Sequence, residues 1–223
     1  MKEVAPSSVW EIPDRRFNPD TTGVLFFDFK NFGGKGRVRH SPESLERKKQ
    51  AVANAIGIRE AARKRGLPLF ITAPDHRADG LDTPARLQDG TRDGPFADPE
   101  MFRVSIPDGL RGQWEAQVME ALAPDPEDTL ILKHRWSAFH GTHLELSLRL
   151  LGVDTLAILG GALEAGIAST AYAARDHDVS MLFIRDAISA GNQAAERLFM
   201  ESIFPHMGLV RSTEWFIKKL EKE

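Results

Sequence analysis

Gly23-Val24-Leu25-Phe26-Phe27-Asp28-Phe29 is an apolar run that admits one charge, near its end. A half-buried strand alternates apolar and polar residues. A continuous run this short is the pattern of a strand covered on both faces, as in a parallel sheet between two helical layers. The flanking sequence repeats the theme. Ser41-Pro42-Glu43-Ser44 is a helix start, with serine as cap and proline at the first position. That helix is expected to run to about Arg65 and stop at Gly66. Leu67–Thr72 reads as a second strand, with Pro68 at its start, where a missing N–H is tolerated.

Further strands are expected at Thr129–Lys133, Thr155–Leu159 and Val179–Ile184. Helices are expected at about 110–122, 143–151, 164–176, 193–204 and 213–221. Strands alternating with helices give an α/β fold: a single-domain, Rossmann-like three-layer α/β/α arrangement with a mainly parallel sheet of about six strands. Residues 1–22 are expected to be an N-terminal extension and 23–223 the domain. Residues 73–105, rich in Pro, Gly, Asp and Arg, are expected to form an active-site loop with one short helix.

Composition narrows the function. The chain has 223 residues, 42% apolar and 27% charged, which excludes a disordered or fibrous protein. It contains no cysteine, which excludes disulfides, thiolate zinc sites, iron–sulfur clusters and a cysteine nucleophile. The net charge of −3 provides no electrostatic footprint for nucleic acid, so no nucleic-acid partner is expected. Lys35, Arg37, Arg39, His40, Arg47, Lys48 and Lys49 form a local basic patch. It reads as a solvated loop and helix face, with a site for an anionic small molecule as the alternative. Residues 1–13 have no apolar run behind basic residues, and no segment reaches the ~20 apolar residues of a membrane span. A cytoplasmic protein with no membrane partner is expected.

In sheets of this kind ligands sit beyond the carboxyl ends of the strands. The residues to inspect are therefore Asp28, Thr72 to Asp75, Lys133, Gly160 to Gly166 and Asp186. Asp28 either caps a loop or is a carboxyl held at the working edge of the sheet; buried alone it would cost several kcal/mol. Lys133 ends another apolar strand, and two opposite charges at two strand ends suggest one buried pair. Gly160 to Gly166 turns from strand to helix, where N–H groups and the helix dipole can meet an anion or an oxyanion. The turn lacks GxGxxG spacing, and no GKS or GKT occurs in the chain, so neither nucleotide-binding loop is present.

Three blocks resemble the isochorismatase-like hydrolase family, also called the cysteine hydrolase superfamily. Val24 through Phe32 resembles its first block, an apolar strand leading into D-M-Q-N-D-F. Leu132-Lys133-His134-Arg135-Trp136-Ser137-Ala138-Phe139-His140-Gly141-Thr142-His143-Leu144 resembles its K-x-R-Y-S-A-F-x-x-T-x-L block. Leu156 to Ala162, with Gly166, Thr170-Ala171 and Asp186-Ala187, resembles the third.

The resemblance implies a small-molecule hydrolase whose usual triad is Asp, Lys and Cys. Asp28 and Lys133 match the first two positions, and the cysteine position falls on Gly166. The family's thiolate mechanism is therefore closed to this chain. The resemblance also places a non-proline cis peptide at Gly161–Ala162. One branch, the isochorismatases proper, has glycine at this position and hydrolyses a vinyl ether by protonating carbon, with release of pyruvate. For that branch the resemblance makes Asp28 the acid, Lys133 its orienting partner, Trp136 a substrate-contacting aromatic and Arg86 a ligand for the substrate carboxylate. The chain departs from that branch as well. Gly160-Gly161-Ala162-Leu163-Glu164 stands where the branch reads G-V-Y-A-H, the first block is one residue short, and Thr72-Ala73 lacks the following glutamine.

Three readings follow. The first is vinyl-ether hydrolysis with Asp28 as general acid. The second is hydrolysis of an amide, carbamate, ester or lactone by a water held beside Gly166. There Asp28 is the base, and backbone N–H groups near Gly161, Ala162 and Gly166 receive the oxyanion. The third is a catalytically silent binding member. Phe32 is expected to line the pocket beside Asp28. No cofactor and no metal is expected. Asp75-His76 is adjacent rather than spaced as Asp-x-His, and His134, His140 and His143 are read as structural residues where the helix begins. The family implies a homo-oligomer. Trp215, Phe216, Ile217 and the Trp10–Pro13 arm are candidates for that contact, with intramolecular core as the alternative.

Overall fold

The apolar run forms the central strand β1, Thr22–Phe27, every residue of it buried. The structure, a computed structural model, describes residues 17–31, 42–79, 81–82, 110–191 and 193–221, with backbone alone for 42–44. The other strands are β2 (Leu69–Pro74), β3 (Thr129–Lys133), β4 (Thr155–Gly161), β5 (Ser180–Ser189) and β6 (Gly208–Arg211). They form one six-stranded sheet in the order β3-β2-β1-β4-β5-β6, with every pairing parallel. The helices are α1 (Pro42–Arg65), α2 (Leu144–Leu150), α3 (Ala168–Asp176), α4 (Gln193–Arg197) and α5 (Thr213–Leu220).

Alternate residues of β1 serve opposite layers, as the two-residue strand period requires. Val24 and Phe26 pack with Ala55 and Ile58 of α1 and Phe216 of α5. Leu25 and Phe27 pack with Leu144 and Leu148 of α2 and Ala171 of α3. α1 stops where expected: Gly66 takes φ 77, its N–H bonds Arg63 O, and Leu67 N–H bonds Ala62 O. Together these satisfy the last carbonyls of the helix.

Several elements differ from expectation. No helix forms over 110–122; the chain makes short 3-10 turns at Trp114–Ala116 and Glu120–Leu122. Its backbone finds partners elsewhere, because Asn31 N–H bonds Gln117 O and Met119 N–H bonds Phe29 O. The stretch 193–204 is α4, a wider π-helical turn at Leu198–Ile203 and a 3-10 turn at Phe204–His206 that contains Pro205. β6 is a strand that the pattern did not locate: four half-buried residues are too short to show a period. β5 runs on through Arg185-Asp186 to Ser189, so Asp186 is not a strand end. Its carboxylate instead accepts the Thr213 N–H and hydroxyl at 2.7 and 2.8 Å, anchoring α5. Phe216 is fully buried in the core and Trp215 packs edge-on against Phe17. Trp10–Pro13 lies outside the described residues. No helix among the described residues is long and apolar enough to cross a membrane.

Candidate active site

β1 ends one residue before its charge. Asp28 leaves the strand with φ 50, a left-handed conformation that costs a non-glycine residue about 1–2 kcal/mol. Thr72 holds it there. The Asp28 N–H donates to Thr72 Oγ1 at 2.9 Å, and the same hydroxyl donates to Asp28 Oδ1 at 2.7 Å. Thr72 is fully buried on β2, between the strands that carry the two charges.

Lys133 is the last residue of β3, two strands from β1 and hence about 10 Å away in the sheet. A lysine stem spans that gap, and its ammonium reaches Asp28 Oδ2 at 2.7 Å. The side chains are 8% and 13% exposed, so the expected buried pair forms. The ammonium also lies 3.4 Å from Arg135 O and 4.7 Å from the centroid of the Phe27 ring.

The Gly160–Gly166 turn lies against the same corner. Gly160 has φ 117, and a Cβ there would stand 2.0 Å from Phe27 O, so only glycine fits. The Gly161–Ala162 peptide is cis, at the position the resemblance indicated. Leu163–Ile167 then make a π-helical turn that leads into α3. A Cβ on Gly166 would stand 2.3 Å from Phe27 Cε1 and 2.6 Å from Cζ. This corrects the expectation of open space beside Gly166: the Phe27 ring fills it, leaving no room there for a water or a substrate group. Glu164 Oε1 accepts the Gly191 N–H at 2.8 Å, which ties the turn to the segment after β5.

The loop after Lys133 is pinned to α3 by the Ala138 N–H, which donates to the buried Thr170 Oγ1 at 3.0 Å. Trp136 in that loop is 68% exposed. Phe32, Arg86 and the basic residues Lys35 to His40 lie outside the described residues, as do 80 and 83–105 of the expected loop.

A second polar cluster flanks β2. Asp82 stands 3.5 Å from both His76 Nδ1 and His134 Nε2. Asp75 holds Arg111 through two hydrogen bonds of 2.8 and 2.6 Å. Those bonds keep the Asp75 carboxyl below its usual range, and burial pushes the His76 imidazole down. Among the described residues no group of three or more His, Cys, Asp or Glu side chains is arranged to hold a metal ion. His143 precedes α2 and bonds Ser147 Oγ, and His140 is exposed, so neither joins His134.

Two features escaped the sequence reading: the clamp on Asp28 by Thr72 and the ring of Phe27 against Gly166. Thr72, a polar residue directly after the apolar run Leu69–Ile71 and already among the strand-end residues to inspect, was the available signal for the first. The second depends on the spatial adjacency of β1 and the turn after β4.

Residues 25–214 match the Isochorismatase domain. The isochorismatase family protein YwoC of Bacillus subtilis is 29% identical over 79% of this chain and 87% of its own. The ureidoacrylate amidohydrolase RutB of Methylorubrum extorquens is 27% identical over 93% of this chain and 86% of its own. Among solved structures, an isochorismatase family protein from Burkholderia thailandensis superposes with a TM-score of 0.71 at 26% identity, covering 92% of this chain and 98% of that one. The parallel sheet, the Asp28–Lys133 pair at its edge and the match over most of its length agree: the chain belongs to the isochorismatase family of hydrolases.

Proposed function

We propose that the chain hydrolyses a small molecule without a covalent enzyme intermediate, using Asp28 as the proton-exchanging group and Lys133 to hold it. One observation carries this reading. The Asp28–Lys133 pair is closed at 2.7 Å at the strand ends, while the neighbouring position is Gly166 backed by an aromatic ring. Thr72 and Lys133 occupy the carboxylate as donors, the pattern of an acceptor ready to take a proton from water. That water must reach Asp28 from a side other than that of Gly166, which is filled. It adds to the carbonyl of an amide, carbamate, ester or lactone, and the C–N or C–O bond then breaks as Asp28 returns the proton to the departing nitrogen or oxygen. Backbone N–H groups near Gly161 and Ala162 are the candidates to receive the oxyanion, since the side of Gly166 is filled. RutB, an amidohydrolase, is a relative that supports this substrate class.

The absence of a nucleophile at position 166 fits a second reading too. Vinyl-ether hydrolysis of isochorismate needs an acid that protonates carbon and no nucleophile at that point, with Asp28 as the acid and Trp136, Phe32 and Arg86 as substrate contacts. A catalytically silent binding member is the reading that both exclude.

A panel of amides, carbamates, esters and lactones, run beside a pyruvate-release assay on isochorismate, tests these. Turnover abolished by both Asp28→Asn and Lys133→Ala is expected in one arm. Full activity in either variant overturns the roles assigned, and no turnover in any arm, with a ligand bound unchanged, supports the silent reading.

A further inference from the structure

The Phe27 ring is 1% exposed and touches the site on two sides. On one side it lies against Gly166, where a Cβ would approach Cε1 to 2.3 Å, against the 3.4–4 Å of ordinary contact. On the other the Lys133 ammonium stands over it, 4.7 Å from the centroid, while reaching Asp28 at 2.7 Å. An ammonium at that distance is attracted by the negative face of the ring, most strongly when it is desolvated. The ring cannot turn away from Gly166 without leaving the position beneath Lys133. Size at residue 27 and absence of a side chain at 166 are therefore one feature. Gly166 itself is free of a positive φ, so its backbone would accept a side chain if the ring allowed it.

We propose that Phe27 is the positioning residue of this site: its ring takes the volume that any side chain at Gly166 would need, and its face carries the Lys133 ammonium to Asp28. The residue acts through Lys133 and through exclusion. It keeps the corner dry and sets how far a ligand can descend toward Asp28.

The absence of cysteine elsewhere makes a clean test, because Gly166→Cys is then the only thiol in the protein. Gly166→Cys is expected to lower the thermal midpoint by about 3–10 °C through overpacking. The drop from adding Gly166→Cys in a Phe27→Val background should be less than half as large. Phe27→Leu replaces Phe27→Val if the smaller residue does not fold. A spectroscopic signature tests the other contact. The Lys133 Hε resonance should be shifted upfield by the ring and lose that shift in Phe27→Leu.

Refolding of the double variant when Gly166→Cys alone does not fold supports the proposal. An equal cost of Gly166→Cys in both backgrounds overturns it. So does failure of the double variant where Phe27→Val alone folds, or a Lys133 resonance that Phe27→Leu leaves in place. None of these readouts uses a substrate, so the result stands apart from the hydrolase reading.

Discussion

Thr72→Val is nearly isosteric and removes one oxygen from the candidate site. That oxygen donates to Asp28 Oδ1 at 2.7 Å and accepts the Asp28 N–H at 2.9 Å, and the residue is fully buried. A hydrogen bond to a charged group contributes about 1.5–3 kcal/mol, and a buried donor left alone costs about 1–3 kcal/mol. The two losses share one group and do not add fully, so a total of about 2–4 kcal/mol is expected. For a chain of this size that lowers the melting temperature by about 5–15 °C. The φ of 50 at Asp28 then loses the Thr72 clamp and keeps the pull of Lys133 and the Lys30 N–H bonded to Asp28 O at 2.7 Å. Thr72→Ser keeps the hydroxyl and deletes one methyl, at about 1 kcal/mol. Urea unfolding followed by far-UV circular dichroism measures both, with an unchanged slope showing that the same surface is exposed. A cycle with Asp28→Asn should give a coupling of about 1 kcal/mol or more between positions 28 and 72. If Thr72→Val stays within about 0.5 kcal/mol of the parent, or Thr72→Ser costs as much as Thr72→Val, the clamp argument is wrong.

Lys133→Met leaves the Asp28 carboxylate buried without its partner, and about 2–4 kcal/mol of stability should go; adding Asp28→Asn should restore part of it in the same urea assay. Burial lowers the His76 pKa below its ordinary 6.5, so the unfolded chain takes up the proton first as pH falls. Stability should therefore decline as pH drops through 6.5, and His76→Gln should flatten that slope between about pH 7 and 5. Arg111 lowers the Asp75 pKa below 3.8, a contribution present above that value and lost as pH falls through the folded-state pKa. Arg111→Gln should shift the acid-unfolding midpoint upward, and an unshifted midpoint would show that this exposed pair carries no stability. Asp186→Ala removes the acceptor for Thr213 at the start of α5 and should cost about 1–2 kcal/mol, read as earlier thermal loss of the Trp215 fluorescence signal.

Legibility followed segment length and local period. β1 could be read because six successive buried residues leave a signal that no exposed element imitates. α1 could be read because its proline start and its Gly66 stop are local chemistry. The stretch 110–122 has helix-compatible composition, yet its backbone bonds to Phe29 and Asn31, residues some ninety positions earlier in the chain, and pattern reading sees no such partner. β6 is four residues long and takes its identity from pairing with β5. Asp186 read as a strand-end carboxyl because the expected strand stopped at Ile184, whereas β5 continues past a shift in its register with β4.

The candidate site divides in the same way. Residue identity alone established that no thiol chemistry is possible and that two opposite charges end two apolar strands, and the family resemblance singled out Gly166 as the position without a side chain. These are properties of composition and order, available before any folding. Tertiary structure decided the rest. Parallel pairing placed β2 between the charged strands, so Thr72 came to hold Asp28, and the length of the lysine stem closed the gap to 2.7 Å. Only the meeting of β1 with the turn after β4 brought the Phe27 ring against Gly166. Local sequence sets which groups exist and which way the chain can bend. Excluded volume between segments distant in sequence sets which of those groups touch, and that cannot be read one segment at a time.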